Sequence, residues 1–256
     1  MPITKPDLDS ESEPFNTNIM LHQIIESNNN GIKFLEAGSD ELAKESFKVA
    51  LEQITEILSL FKDHVHDIEC QGLAPNVPIP SIVHVPISES TRGEISSKGS
   101  YIYRYALTLE FDTELRGVDQ GALVYQCSSP LAIVIMFNLG FVHHYRNQEQ
   151  QHPFLLSKAL CLYEMAWSLW QRSHYCKDYM SSSSTAKADP YIMGILNNMG
   201  AIYHELGQYD QAHTCFGLLK SLLHRGAGGV HEQEADHYGI MMNVMFLEKP
   251  YLAPAA

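Results

Sequence analysis

Basic residues are scarce in this chain. Lys and Arg total 17 against 30 Asp and Glu, a formal net charge of -13 over 256 residues. That balance argues against a phosphate-binding surface as the main activity, so no nucleic-acid partner is expected. Long apolar runs are missing as well. The longest unbroken one, Leu131 to Phe137, falls far short of a membrane span, and the opening MPITKPDLDSESEPF is polar and acidic where a secretory signal is basic and then apolar. Cysteine offers no framework: Cys70, Cys127, Cys161, Cys176 and Cys215 are odd in number, widely spaced and without a C-x-x-C. Reduced thiols, no membrane association and a cytoplasmic or nuclear location are the expectation.

Catalytic signatures are equally thin. No G-x-S-x-G, G-x-G-x-x-G or kinase pattern occurs. The glycine-rich RGAGGVHE lacks the preceding strand and the Lys-Ser/Thr of a P-loop, and an ordinary inter-helix loop is expected there. Thirteen histidines raise the question of a metal. In HEQEADH, however, His231 and His237 stand six apart where a zincin needs four. His64 with His66, and His143 with His144, are too close along a helix to share one face. Scattered packing histidines are the preferred account, so no cofactor, metal or catalytic residue is assigned. A metal-dependent enzyme or regulator built on these segments is the alternative.

What is present is enough apolar material for a core, 45% of residues, and an internal repeat. In NMGAIYHELGQYDQAHTCFGLLKSLL the residues Met199, Gly200, Tyr203, Gly207, Tyr209, Ala212, Phe216 and Leu219 recur at fixed offsets. The same frame begun at Ile24 gives Gly31, Phe34, Gly38, Ala43, Phe47 and Ala50. A third window from Ile133 gives Leu139, Gly140 and His143, then resumes seven residues late with Ala159, Tyr163 and Ala166. With Gly near 7% of residues, four glycines on fixed positions in two windows have a chance on the order of 10^-5.

These positions resemble the tetratricopeptide repeat, a 34-residue unit of two antiparallel helices. The resemblance implies a mostly α fold, a solenoid of helical hairpins serving protein interaction. The helical glycines would sit where two helices approach closely, facing Ala43, Ala159 and Ala212, with the aromatic positions between adjacent hairpins. Gly38, Gly207 and Asn147 would end the first helices in left-handed geometry. Ser129-Pro130, Asp189-Pro190 and Ser39 would begin helices.

The organisation that follows is an acidic N-terminus over 1–15, a first repeat with an extended helix over 16–67, an insert over 68–130, a second repeat over 131–172, a serine-rich loop over 173–189, a third repeat over 190–225 and a capping helix over 230–248. Residues 1–60 carry 11 acids and 4 bases, so electrostatic steering would come from that end. Within the insert, Tyr101 to Phe111 alternates apolar and polar residues over eleven positions, a strand with one apolar face. Gly121 to Cys127 is the expected partner strand and Ser81 to Ile87 a candidate third. A small antiparallel β insert is therefore expected.

In peptide-binding members of the family, the first helices line a concave groove. Carried onto this frame, one groove position is asparagine in all three copies: Asn29, Asn138 and Asn198. An amide offers a donor and an acceptor and can bind the backbone of an extended peptide. Phe137, Phe141, His144, Tyr145, Asn197, His204 and Glu205 complete the expected face. None is basic, so the carboxylate clamp of the chaperone-binding members is missing. The implied function is a scaffold or adaptor holding a protein, peptide or helix of unidentified origin in the groove.

Overall fold

A computed structural model of the chain describes residues 17–62, 80–87, 101–111, 119–172, 190–226 and 234–247. The acidic N-terminus and the serine-rich segment lie outside them, as do Cys70, Cys176, His64, His66 and His231.

Helix α1 (Thr17–Glu36) buries Leu21, Ile24, Ile25, Asn28, Gly31, Ile32 and Leu35, and α2 (Asp40–Leu60) buries Ala43, Phe47, Ala50, Ile54 and Ile57. Both sets recur every three or four residues, which gives each helix one apolar stripe, and the stripes pack together as a hairpin. Gly38 joins them at φ 70. Its N–H donates to the Leu35 carbonyl and that of Ser39 to the Phe34 carbonyl, closing the end of α1 in a Schellman turn. Gly207 at φ 74 repeats the turn, with N–H donation from Gly207 to His204 and from Gln208 to Tyr203. Ser39 stands at the cap position of α2, but its side chain makes no capping bond. Asp40 and Glu41 supply negative charge to that first turn instead.

The second hairpin departs from expectation. Helix α3 (Gln120–Gln150) starts ten residues before Pro130, capped by Asp119, whose carboxylate accepts the Ala122 N–H at 2.7 Å. Gly121 to Cys127 is therefore helix rather than strand. An apolar run of that length fits either state by periodicity, and the cap decides. Pro130 lies inside the helix rather than at its start. At the other end Asn147 remains helical and Gln151 takes the left-handed conformation, φ 48, donating its N–H to the Asn147 carbonyl. Much of the seven-residue excess is thus absorbed as added helix before α4 (Pro153–Arg172) begins. Arg146 of α3 pairs with Asp40 at 3.5 Å and with Glu41 across the hairpin boundary. Hydrogen bonds from Lys44 and Arg146 hold the Glu41 carboxyl down at about 2.

Helix α5 (Pro190–Glu205) begins at the proline expected to open it. It pairs with α6 (Tyr209–Gly226), and α7 (Glu234–Leu247) packs on both. Neighbouring hairpins meet through α2 with α3 and α4 with α5. The helical glycines lie where the two helices of a hairpin approach closely, and what meets each of them is an aromatic ring. A Cβ on Gly31 would come within 2.6 Å of the Phe47 ring, on Gly140 within 3.0 Å of Tyr163, and on Gly200 within 2.7 Å of Phe216. Each glycine seats an aromatic ring of its own hairpin, and the rings of Tyr163 and Tyr203 reach across to the neighbouring hairpin as well, where Tyr163 meets Asn198 and Tyr203 meets Glu164.

Strand β1 (Ser81–Pro86) pairs antiparallel with β2 (Tyr105–Glu110), in a register that sets His84 opposite Leu107 and Ile82 opposite Leu109. The segment expected as a third strand is the actual partner. Residues 101–104 carry the extended chain on without a ladder, tied to β1's end by the Ile87 N–H donating to the Arg104 carbonyl at 3.2 Å. The described fold is mostly helical with one small two-stranded antiparallel sheet. α3 is long and apolar enough to cross a membrane by composition, and it is largely buried as the core helix of this fold.

Candidate functional site

Alternate residues of an antiparallel pair turn their N–H and C=O groups away from the partner strand. In β2, Leu107 and Leu109 are the ones that meet asparagine. The Leu107 N–H donates to Asn138 Oδ1 at 2.9 Å and its carbonyl accepts from Asn138 Nδ2 at 2.9 Å. Asn29 treats Leu109 the same way, at 3.0 and 2.8 Å. The pattern continues beyond the ladder. Asn198 takes both groups of Tyr103, at 2.8 and 3.2 Å, and Asn243 both groups of Tyr101, at 2.8 and 2.6 Å.

Four amides from α1, α3, α5 and α7 thus form a surrogate strand along the second edge of the segment. Each closes a two-bond ring with one residue, the chemistry a paired strand would supply. The segment runs opposite to helix order, reaching α7 at residue 101 and α1 at residue 109. A further layer steadies the amides. Asn28 donates to Asn29 Oδ1 and to the Leu107 carbonyl, and accepts from Asn138 Nδ2. Asn197 donates to Asn198 Oδ1 and the Tyr101 carbonyl, and accepts from Asn243 Nδ2. Asn198 Nδ2 also donates to the Tyr163 hydroxyl at 3.2 Å. Asn28, Asn138, Asn197 and Asn198 are all fully buried. With these bonds made, the burial carries little desolvation penalty.

Aromatic contacts fix the side chains. Tyr103 is buried edge-on to Phe137 at 6.3 Å and beside Tyr105 at 5.2 Å, its hydroxyl 2.7 Å from His84 Nδ1. Phe137 and His144 both meet Tyr163, at 5.7 and 6.1 Å. Burial pushes the Tyr163 hydroxyl well above its ordinary range. Burial, helped by the charge of Arg104, holds His144 down at about 3, and burial next to Lys158 and its neighbouring cations holds His143 at about 4. Both imidazoles are therefore neutral at pH 7, and among the described residues their Nδ1 atoms have no partner.

Of the residues expected to form one face, Asn29, Asn138, Asn197 and Asn198 converge on the segment, with Phe137 and His144 beside it. Phe141 and Tyr145 stack on each other at 6.0 Å. His204 meets Tyr209 at 5.3 Å, and Glu205 ends the same helix. Sequence reasoning missed Asn28, Asn243 and the occupant itself. The asparagine runs at 28–30 and 197–198 were the available signal. Among the described residues no three His, Cys, Asp or Glu side chains gather as metal ligands. Comparison of the chain with protein-family models, with curated proteins and with solved structures finds no match in any of the three.

Proposed function

We propose that the protein is a non-enzymatic interaction scaffold, a tetratricopeptide-like solenoid whose inner face binds extended polypeptide. Its partner is a protein or peptide, and its place is the cytoplasm or nucleus. One observation supports the reading: four asparagines on alternate helices each take both main-chain groups of one residue in an extended segment. An amide used in this way sets direction and spacing and reads no side chain. The chain's own residues 101–109 occupy these amides, so a partner reaches them by taking that segment's place. Nucleic acid, membrane and carboxylate-terminated chaperones fall outside this chemistry.

A photo-crosslinking phenylalanine placed at Tyr145, on the inner face, and separately at Val49, exposed on α2, tests the proposal in cells. Adducts with a second protein are expected from Tyr145 and not from Val49. Adducts from Val49 alone would move the binding surface to the outer helices, and adducts from neither would overturn the scaffold.

A further inference from the structure

The asparagines set where an extended chain lies, but two other helical residues govern which chain fits. Gly194 on α5 and Gly239 on α7 are outside the glycine positions of the hairpin repeat. A Cβ on Gly194 would stand 2.5 Å from the Tyr103 ring, and one on Gly239 would collide with the Tyr101 ring. A glycine inside a helix costs roughly 1 kcal/mol against alanine. Two of them directly beneath consecutive inward rings of one segment are ring seats. Further along, Leu107 and Leu109 are fully buried, and the intervening Ile102 and Ala106 are buried as well, whereas Arg104, Tyr105 and Thr108 are partly exposed and Glu110 is exposed.

We propose that this face selects an extended segment of the form aromatic-apolar-aromatic-x-x-small-aliphatic-x-aliphatic, and that residues 101–109 are a resident copy which a partner carrying the same pattern exchanges for its own. The proposal rests on the scaffold reading above and adds the chemistry of the partner. Direction is fixed as well: the partner's aromatic end lies on α5 and α7, its aliphatic end on α1 and α3.

The test uses the full chain carrying Tyr101→Ser/Tyr103→Ser, which weakens the resident segment, titrated with a fluorescent peptide of sequence YIYRYALTLEF. Saturable binding is expected. A second peptide with serine at its first and third residues, the counterparts of Tyr101 and Tyr103, should bind roughly 100-fold more weakly, each lost ring being worth about a factor of ten. Equal binding of the two peptides would overturn the pattern while leaving main-chain recognition standing. No binding of either by a variant that circular dichroism shows to be helical would overturn exchange itself. Should the variant not fold alone, hydrogen exchange on the unaltered chain decides. Tyr103 and Leu107 amides that open faster than the core of α3, and are slowed by the peptide, support exchange; opening only with global unfolding overturns it.

Discussion

Two buried asparagines on the same helix have opposite fates. Asn138 sits at the middle of α3 with both amide atoms bonded, to Leu107 and to Asn28. Asn147, nine residues on, is also buried, and its Oδ1 has no partner among the described residues, nor do the Nδ1 atoms of nearby His143 and His144. Residue type and burial are alike, so neither explains what an asparagine is worth here. The difference, among the described residues, is an extended segment that reaches one and not the other. A satisfied polar group specifies structure, whereas an orphaned one only subtracts from stability.

Asn138→Ala should give the largest effect. It strands the buried Leu107 N–H and the Asn28 Oδ1, while Asn28 Nδ2 still serves the Leu107 carbonyl; at about 1–3 kcal/mol for each stranded group, a loss of about 2–5 kcal/mol is expected by urea denaturation, with selective deprotection of Leu107 in hydrogen exchange. A loss below about 1 kcal/mol would erase the contrast with Asn147.

The histidine end predicts a pH dependence. His143 and His144 are held at about 4 and about 3 in the fold, below the 6.5 of an exposed imidazole. As pH falls through 6.5 the unfolded chain takes up protons that the native state refuses, so stability drops, by up to about 1.4 kcal/mol per pH unit for each histidine. Above 6.5 neither state binds the proton and this contribution is flat. Thermal melts between pH 8 and pH 4.5 measure the fall, and His144→Phe should reduce it by about half, leaving the share of His143. An unchanged slope would mean that His144 is not the group responsible.

Glycines sharpen the comparison at smaller scale. Gly200→Ala should cost about 1–3 kcal/mol by crowding Phe216. At Gly217 an added methyl would meet nothing within 4 Å, so alanine there should gain about 0.5–1 kcal/mol. Paired melts of the two variants check the opposite signs. The smallest effect is expected for Asn147→Leu, within about 1 kcal/mol of neutral, since the apolar isostere removes an orphaned acceptor. A loss as large as that of Asn138→Ala would show that Asn147 has a partner after all.

Much of this fold was legible. The frame anchored on Gly31 and Gly200 marked helical hairpins, and Gly38 and Gly207 marked their turns, because left-handed geometry and ring seats each leave a fixed residue type at a fixed offset. The asparagine coincidence was legible too, down to main-chain recognition of an extended segment. The occupant was not, because Asn138 and Leu107 lie 31 residues apart and nothing local joins them. Gly121 to Cys127 misled for the opposite reason: its local pattern suits a strand, and Asp119 just upstream turns it into helix.

The backward course of the segment has a consequence for synthesis. In a plain repeat array each unit needs only its neighbour and can settle as it leaves the ribosome. Here Tyr101 must wait for Asn243, 142 residues later, which at 5–20 residues per second is about 7–28 s of translation. For that interval an aromatic, strand-forming stretch is held by only part of its final grip. A chain that stops before α7 would release its first hairpins with that stretch held by three of its four amides, so a helix made late decides whether elements made early are finished.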